Sequence, residues 1–184
     1  TQEVTMREWK QLGRTGEQND TNETRRSKTE HNLHETRGWQ NKAGSEQREK
    51  ACPAGWRTFS GSCYFLSTES GSWTRARQDC RGKGADLVII DVNSEQTFLS
   101  KLTKSETWSW IGLTDGCIEG TWKWIDESSL TLRYWEAKQP DNGGGDPKWG
   151  EEDCAHIRSG KNTEENWNDR SCEADLRWIC EKMA

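Results

Sequence analysis

Across residues 130–165 the chain is crowded with carboxylates and amides, gathered around the run Gly143-Gly144-Gly145. Regular hydrophobic patterning fades over the same stretch. A loop this long in a compact domain is usually functional or disordered. Its oxygen donors offer a reason for order, a bound cation; the alternative is a solvated loop whose like charges repel one another. Nucleophilic chemistry has no comparable support. His31 and His34 lie in the first fifty residues, His156 is the only histidine beyond them, and no Ser/His/Asp spacing accompanies it. His156 reads as a core or hydrogen-bonded residue, and an enzyme is not expected. The seven cysteines include no paired CxxC units. Structural zinc is therefore not expected, and an oxidising compartment is.

Several elements must position this loop. Aromatic residues Trp56, Phe59, Tyr64 and Phe65 flank the turn Ser60-Gly61-Ser62 and predict a hairpin. Ser72 stands before Trp73, Ala76 and Cys80, which share one face of a predicted helix that Gly82 and Gly84 stop. Residues 85–90 read as a short strand. Asn93 is expected to cap a second helix, with Gln96 completing a capping box and Phe98, Leu99 and Leu102 facing inward. Residues 108–113 and 121–125 alternate as half-buried strands, and 176–180 as a closing strand.

The sequence has 184 residues, a net charge of −5 and only 30% apolar residues. Residues 1–50 hold 7 apolar side chains and carry +1, whereas residues 51–184 carry −6, 10 of the 12 Trp and all 7 Cys. That division predicts one domain over 51–184 behind a polar leader, read either as a stalk or as a disordered tail. A second packed domain is excluded by composition, a membrane span by the absence of a long apolar run, and a nucleic-acid-binding role by the acidic balance. Asn19-Asp20-Thr21 and Asn22-Glu23-Thr24 are glycosylation sequons. The chain opens on Thr1 without a signal peptide, which reads as a processed or truncated chain whose targeting segment is missing.

Residues 52–182 resemble the C-type lectin domain family. The likeness rests on Trp110-Ile111-Gly112-Leu113, Glu119-Gly120-Thr121-Trp122-Lys123-Trp124, Gln139-Pro140-Asp141, Glu152-Asp153-Cys154 and Trp167-Asn168-Asp169, in that order. Galactose-type receptors of the asialoglycoprotein-receptor and macrophage-lectin group are the most similar members. The resemblance implies an α+β fold with two helices, small antiparallel sheets and a long calcium-bearing loop. It also implies bridges Cys52–Cys63, Cys80–Cys180 and Cys154–Cys172. Cys117 departs from the pattern and reads either as a shielded thiol or as a bridge to a second chain.

The resemblance further implies a primary calcium ion held by Gln139, Asp141, Glu152, Asn168 and Asp169, with a cis bond before Pro140. These are hard oxygen donors of the kind calcium takes. Asn168 and Asp169 are adjacent, so one turn is expected to present both. A second calcium is suggested at Asp115, Glu119, Asn142 and Asp153, with Glu152 bridging. A sugar diol would complete the primary site, and Gln-Pro-Asp matches the galactose and N-acetylgalactosamine preference. Galactose-type members place a Trp where this chain has Gly143; Trp149 either supplies that platform or packs against the domain. The function implied is calcium-dependent binding of terminal sugars on glycoproteins, glycolipids or microbial glycans. The setting would be the ectodomain of a single-pass type II membrane receptor, with homo-oligomers supplying avidity. The alternatives are a soluble secreted lectin or a module that binds a protein ligand without sugar.

Overall fold

The computed structural model describes residues 51–103 and 107–184. The leader at 1–50, with its sequons and its expected stalk, lies outside them. Ten elements are built in chain order: β1 (Arg57–Phe59), β2 (Ser62–Leu66), α1 (Trp73–Gly82), β3 (Asp86–Leu87), α2 (Asn93–Leu102), β4 (Trp108–Thr114), β5 (Lys123–Trp124), β6 (Cys154–Arg158), β7 (Trp167–Arg170) and β8 (Arg177–Met183). The sheet runs β1-β2-β8-β4-β6-β7, with β3 paired to β8 and β5 to β4. Every pairing is antiparallel except β4 with β8.

The hairpin forms where the aromatics predicted it, turning through Ser60 and Gly61 at positive φ. The first helix is capped by Ser72, whose side chain accepts from the Arg75 amide. Its Ala76 and Cys80 are fully buried against Trp110 and Trp178. The bridges Cys52–Cys63, Cys80–Cys180 and Cys154–Cys172 all form. Cys80–Cys180 spans 100 residues and ties α1 to β8. Loop-closure entropy for a ring of that length corresponds to roughly 4–5 kcal/mol.

Four expectations need correction. The capping box does not form: Val92 is the N-cap of α2, without a side-chain bond. Gln96 is 1% exposed and turns inward instead. Its amide donates to the Thr163 carbonyl and to Asn166 Oδ1, and its Oε1 accepts from Trp167 Nε1. Buried partners outcompete a solvent-exposed cap. Secondly, β4 is a central strand between β8 and β6 and is buried on both faces, since the successive residues Trp110 and Ile111 point to opposite sides and both are wholly enclosed. Only two residues of the 121–125 segment pair with it.

Thirdly, residues 85–90 form ladder pairs only at Asp86 and Leu87. Val88 then bonds Ile179 and accepts from the Gly112 amide, an approach so close that a Cβ at 112 would stand 3.0 Å from the Val88 carbonyl. Fourthly, Asn168 and Asp169 lie on strand β7 rather than in a turn, paired with His156 and Ala155 of β6. Neither of these strands shows apolar alternation. Their polar residues are enclosed by the sheet and the long loop that covers it.

Candidate functional site

The long loop is fastened at both ends. Trp135 bridges to Trp167, the Glu136 amide donates to the Trp167 carbonyl, and the Glu136 carboxylate pairs with Arg158 at 2.6 Å and Lys161 at 3.0 Å. From there the chain passes Lys138 at positive φ and a cis Gln139–Pro140 bond, which presents Gln139 and Asp141 to one side of the loop. Asp169, fully buried, accepts from the backbone amides of Asp141 and Asn142 at 2.9 and 2.8 Å. Glu152 accepts from the Gly143 amide at 3.2 Å, and its own amide donates to Asn142 Oδ1 at 2.7 Å. The loop is thus stitched to β7 and to itself.

The result is a cluster in which carboxylate oxygens of Asp141, Glu152 and Asp169 lie within 4.8 Å of one another. Asp169 Oδ1 is buried without a hydrogen-bond partner, and so are Gln139 Oε1, two residues before Asp141, and Asn168 Oδ1, next to Asp169 in β7. Burial raises the pKa of Glu152, with the Asp169 charge adding and the Arg170 charge opposing. Burial likewise raises that of Asp169, against the stabilising Asn142 and Asp141 amides. Enclosed oxygens without donors, and acids pushed toward their neutral form, are costs that a positive charge placed among them would offset. All donors are oxygen, which fits calcium and fits zinc or copper poorly.

A second cluster gathers Asp115, Glu119 and Asp153. Asp115 is 4% exposed, and its Oδ1 has no partner. Burial raises its pKa to about 6; the Gly120 amide pulls it down, and the Glu119 and Asp153 charges push it up. The Asn142 side-chain oxygen, expected with this group, accepts from the backbone amide of Glu152, a member of the first cluster. Cys117 forms no disulfide and is exposed beside Ile118, so its shielded-thiol reading is corrected: the turn between β4 and β5 faces outward.

Trp149 is 44% exposed. Its ring carries Lys148 Nζ at 4.6 Å and Arg170 Cζ at 5.0 Å from the centroid. Arg170 also lies 5.4 Å from the centroid of Trp108, on which Arg158 and His156 stack. This chain of rings and cations was invisible in the sequence, because which cation meets which ring is decided by the fold. The only hint was an arginine next to Asp169. The glycine at 143 is also explained. It sits at φ +72, and a Cβ there would stand 2.5 Å from the Gly150 carbonyl and 3.1 Å from the Trp149 Cβ. A tryptophan at 143 does not fit this loop, and the Trp149 side chain leaves the backbone beside the place where it would have been.

Known proteins share this architecture. The family model for the lectin C-type domain matches residues 69–182. The chain is 40% identical over 146 residues to CD209 antigen-like protein A of Mus musculus, covering 78% of this chain and 57% of that protein. It is 41% identical over 135 residues to asialoglycoprotein receptor 2 of Mus musculus, covering 72% and 42% respectively. Among solved structures, the human scavenger receptor C-type lectin carbohydrate-recognition domain matches with a TM-score of 0.67 at 36% identity, over 73% of this chain and 100% of that one. Fold and site together define a binding module rather than an enzyme. The chain belongs to the C-type lectin domain family, and it spans about half the length of these two curated relatives.

Proposed function

We propose that this domain binds terminal sugars through calcium, with a preference for galactose and N-acetylgalactosamine. The clustering of the carboxylates of Asp141, Glu152 and Asp169, with partnerless buried oxygens on Asp169 itself, on its neighbour Asn168 and on Gln139, carries the reading. Calcium, when bound, would supply the missing positive charge and coordination positions for a sugar diol. The residues of the chain would do the selecting. Each hydroxyl of the diol would donate to Asp141 or Glu152 and accept from the amide of Gln139 or Asn168. The order of amide and acid in Gln139-Pro140-Asp141 sets which diol is satisfied at both hydroxyls. A mismatched hydroxyl leaves a buried polar group unpaired, at about 1–3 kcal/mol. Trp149 would offer its ring to the apolar face of the sugar, replacing the tryptophan that Gly143 excludes. The exposed Lys148 would give way, since Arg170 is half-buried. Asp115, Glu119, Asn142 and Asp153 would hold a second calcium that stiffens the same loop.

The setting we infer is the outward-facing part of a type II cell-surface receptor. The three disulfides suit that side of a membrane. No helix among the described residues is long and apolar enough to cross one, so an anchor would have to lie elsewhere. Single sugar sites bind weakly, so several copies would supply avidity. Retention on a galactose column tests the reading. The protein is expected to bind with calcium, to elute with chelator, and to be displaced by galactose and N-acetylgalactosamine but not by mannose. Flow-through in calcium contradicts sugar binding, and equal displacement by mannose contradicts the preference.

A further inference from the structure

Three cations line the ring system beside the proposed sugar site, and they are treated differently. Arg158 over Trp108 is neutralised by Glu136 at 2.6 Å. Arg170 and Lys148, both on Trp149, make no ion pair among the described residues, although the Arg170 charge reaches the Glu152 carboxylate from a distance. The Lys148 backbone amide donates to Asp146, yet its ammonium does not pair with that carboxylate. Arg170 is half-buried, and no hydrogen bond from its guanidinium occurs among the described residues. A guanidinium lying over indole rings keeps its in-plane N–H donors available, and those donors match the oxygens of a carboxylate or sulfate. Arg170 lies near enough to the cluster of Asp141, Glu152 and Asp169 for its charge to act on Glu152, and Lys148 shares the Trp149 ring with it; those carboxylates would be committed to the metal. The domain around them is acidic, at −6 over residues 51–184, so an unpaired cationic pair here is a local exception.

We propose that Arg170 and Lys148 make this site select sugars that carry an acidic substituent, a sulfate ester or a carboxylate, placed at the Trp149 end. The inference rests on the calcium-dependent sugar reading above and adds the ligand class. A sugar lying against Trp149 brings its exocyclic carbon toward one of the two cations. An acidic group there replaces water on the guanidinium or ammonium with a charge-assisted bond. Neutral sugars leave both cations solvated.

Calorimetric titration of the whole chain in millimolar calcium tests this with three probes: methyl galactoside, galactose 6-sulfate and methyl galacturonoside. At least one acidic probe is expected to bind roughly five- to tenfold more tightly than the neutral one at low salt, with the ratio shrinking at 0.5 M salt as screening grows. Comparing the sulfate with the carboxylate identifies which acid the site takes. In Lys148→Gln and Arg170→Gln, the ratio of acidic to neutral affinity is expected to fall toward one in at least one variant. Lys148 lies on an exposed loop, so its variant remains informative if Arg170→Gln fails to fold. A wild-type ratio of one, or a ratio that survives in every variant that folds, overturns the proposal while leaving sugar binding intact. Failure of all three probes to bind overturns the parent reading, and this one with it.

Discussion

His156 shows how much one enclosed side chain sets. It is fully buried, stacked on Trp108 at 5.2 Å and edge-on to Trp110 at 5.9 Å. Burial, with the Arg158 and Arg170 charges adding, lowers its pKa to about 3. The folded state therefore holds a neutral ring that the unfolded chain would protonate near 6.5. Its contribution to stability is complete above about pH 6.5 and is lost progressively as pH falls toward 3. Acid melts of the wild type and of His156→Phe check this: the fall in Tm between pH 7 and pH 5 is expected to be smaller in the variant. Equal slopes would contradict it. The histidine was legible as a core residue because no catalytic partner accompanied it in sequence. The grouping of Asp141, Glu152 and Asp169 was expected from the sequence, because hard-donor residues in short, ordered motifs carry chemistry on their face. Arg170 and Lys148 were not, since a stacked cation has no sequence spacing of its own.

At the scale of elements, the helices and the hairpin were readable from periodicity and turn chemistry. Strands β6 and β7 were not. Their residues include Cys154, His156, Asn168 and Asp169, all enclosed, so neither shows the alternation of a strand with one wet face. Gln96 was misassigned for a related reason. Its position fits a capping box, but the long loop brings Thr163, Asn166 and Trp167 within reach, and those partners lie 67 to 71 residues away in sequence. The helix thereby fastens the end of the loop that leads into β7, the strand that carries Asn168 and Asp169. Gln96→Ala is expected to destabilise the domain by about 2–4 kcal/mol, because it orphans the Trp167 indole N–H and Asn166 Oδ1 together. A cap contributes about 1 kcal/mol. Urea unfolding measures the difference, and a loss under 1 kcal/mol would contradict the buried network.

For the whole molecule, three covalent ties and a core to which the long loop itself contributes Tyr134 hold the framework, and the same loop brings Asp141 and Glu152 to Asp169 of β7. The framework supplies rigidity, and the clustered acids concentrate a negative charge that the proposed calcium would relieve. Ligand linkage then couples metal to stability, at about 2.7 kcal/mol for a hundredfold excess over Kd. The most direct measurement is the heat of calcium titrated into the metal-free protein at neutral pH, beside the same titration of Asp169→Asn. The expected result is saturable uptake of up to two ions in the wild type, weakened in the variant. No heat at millimolar calcium, together with an unchanged melting temperature, would contradict the account.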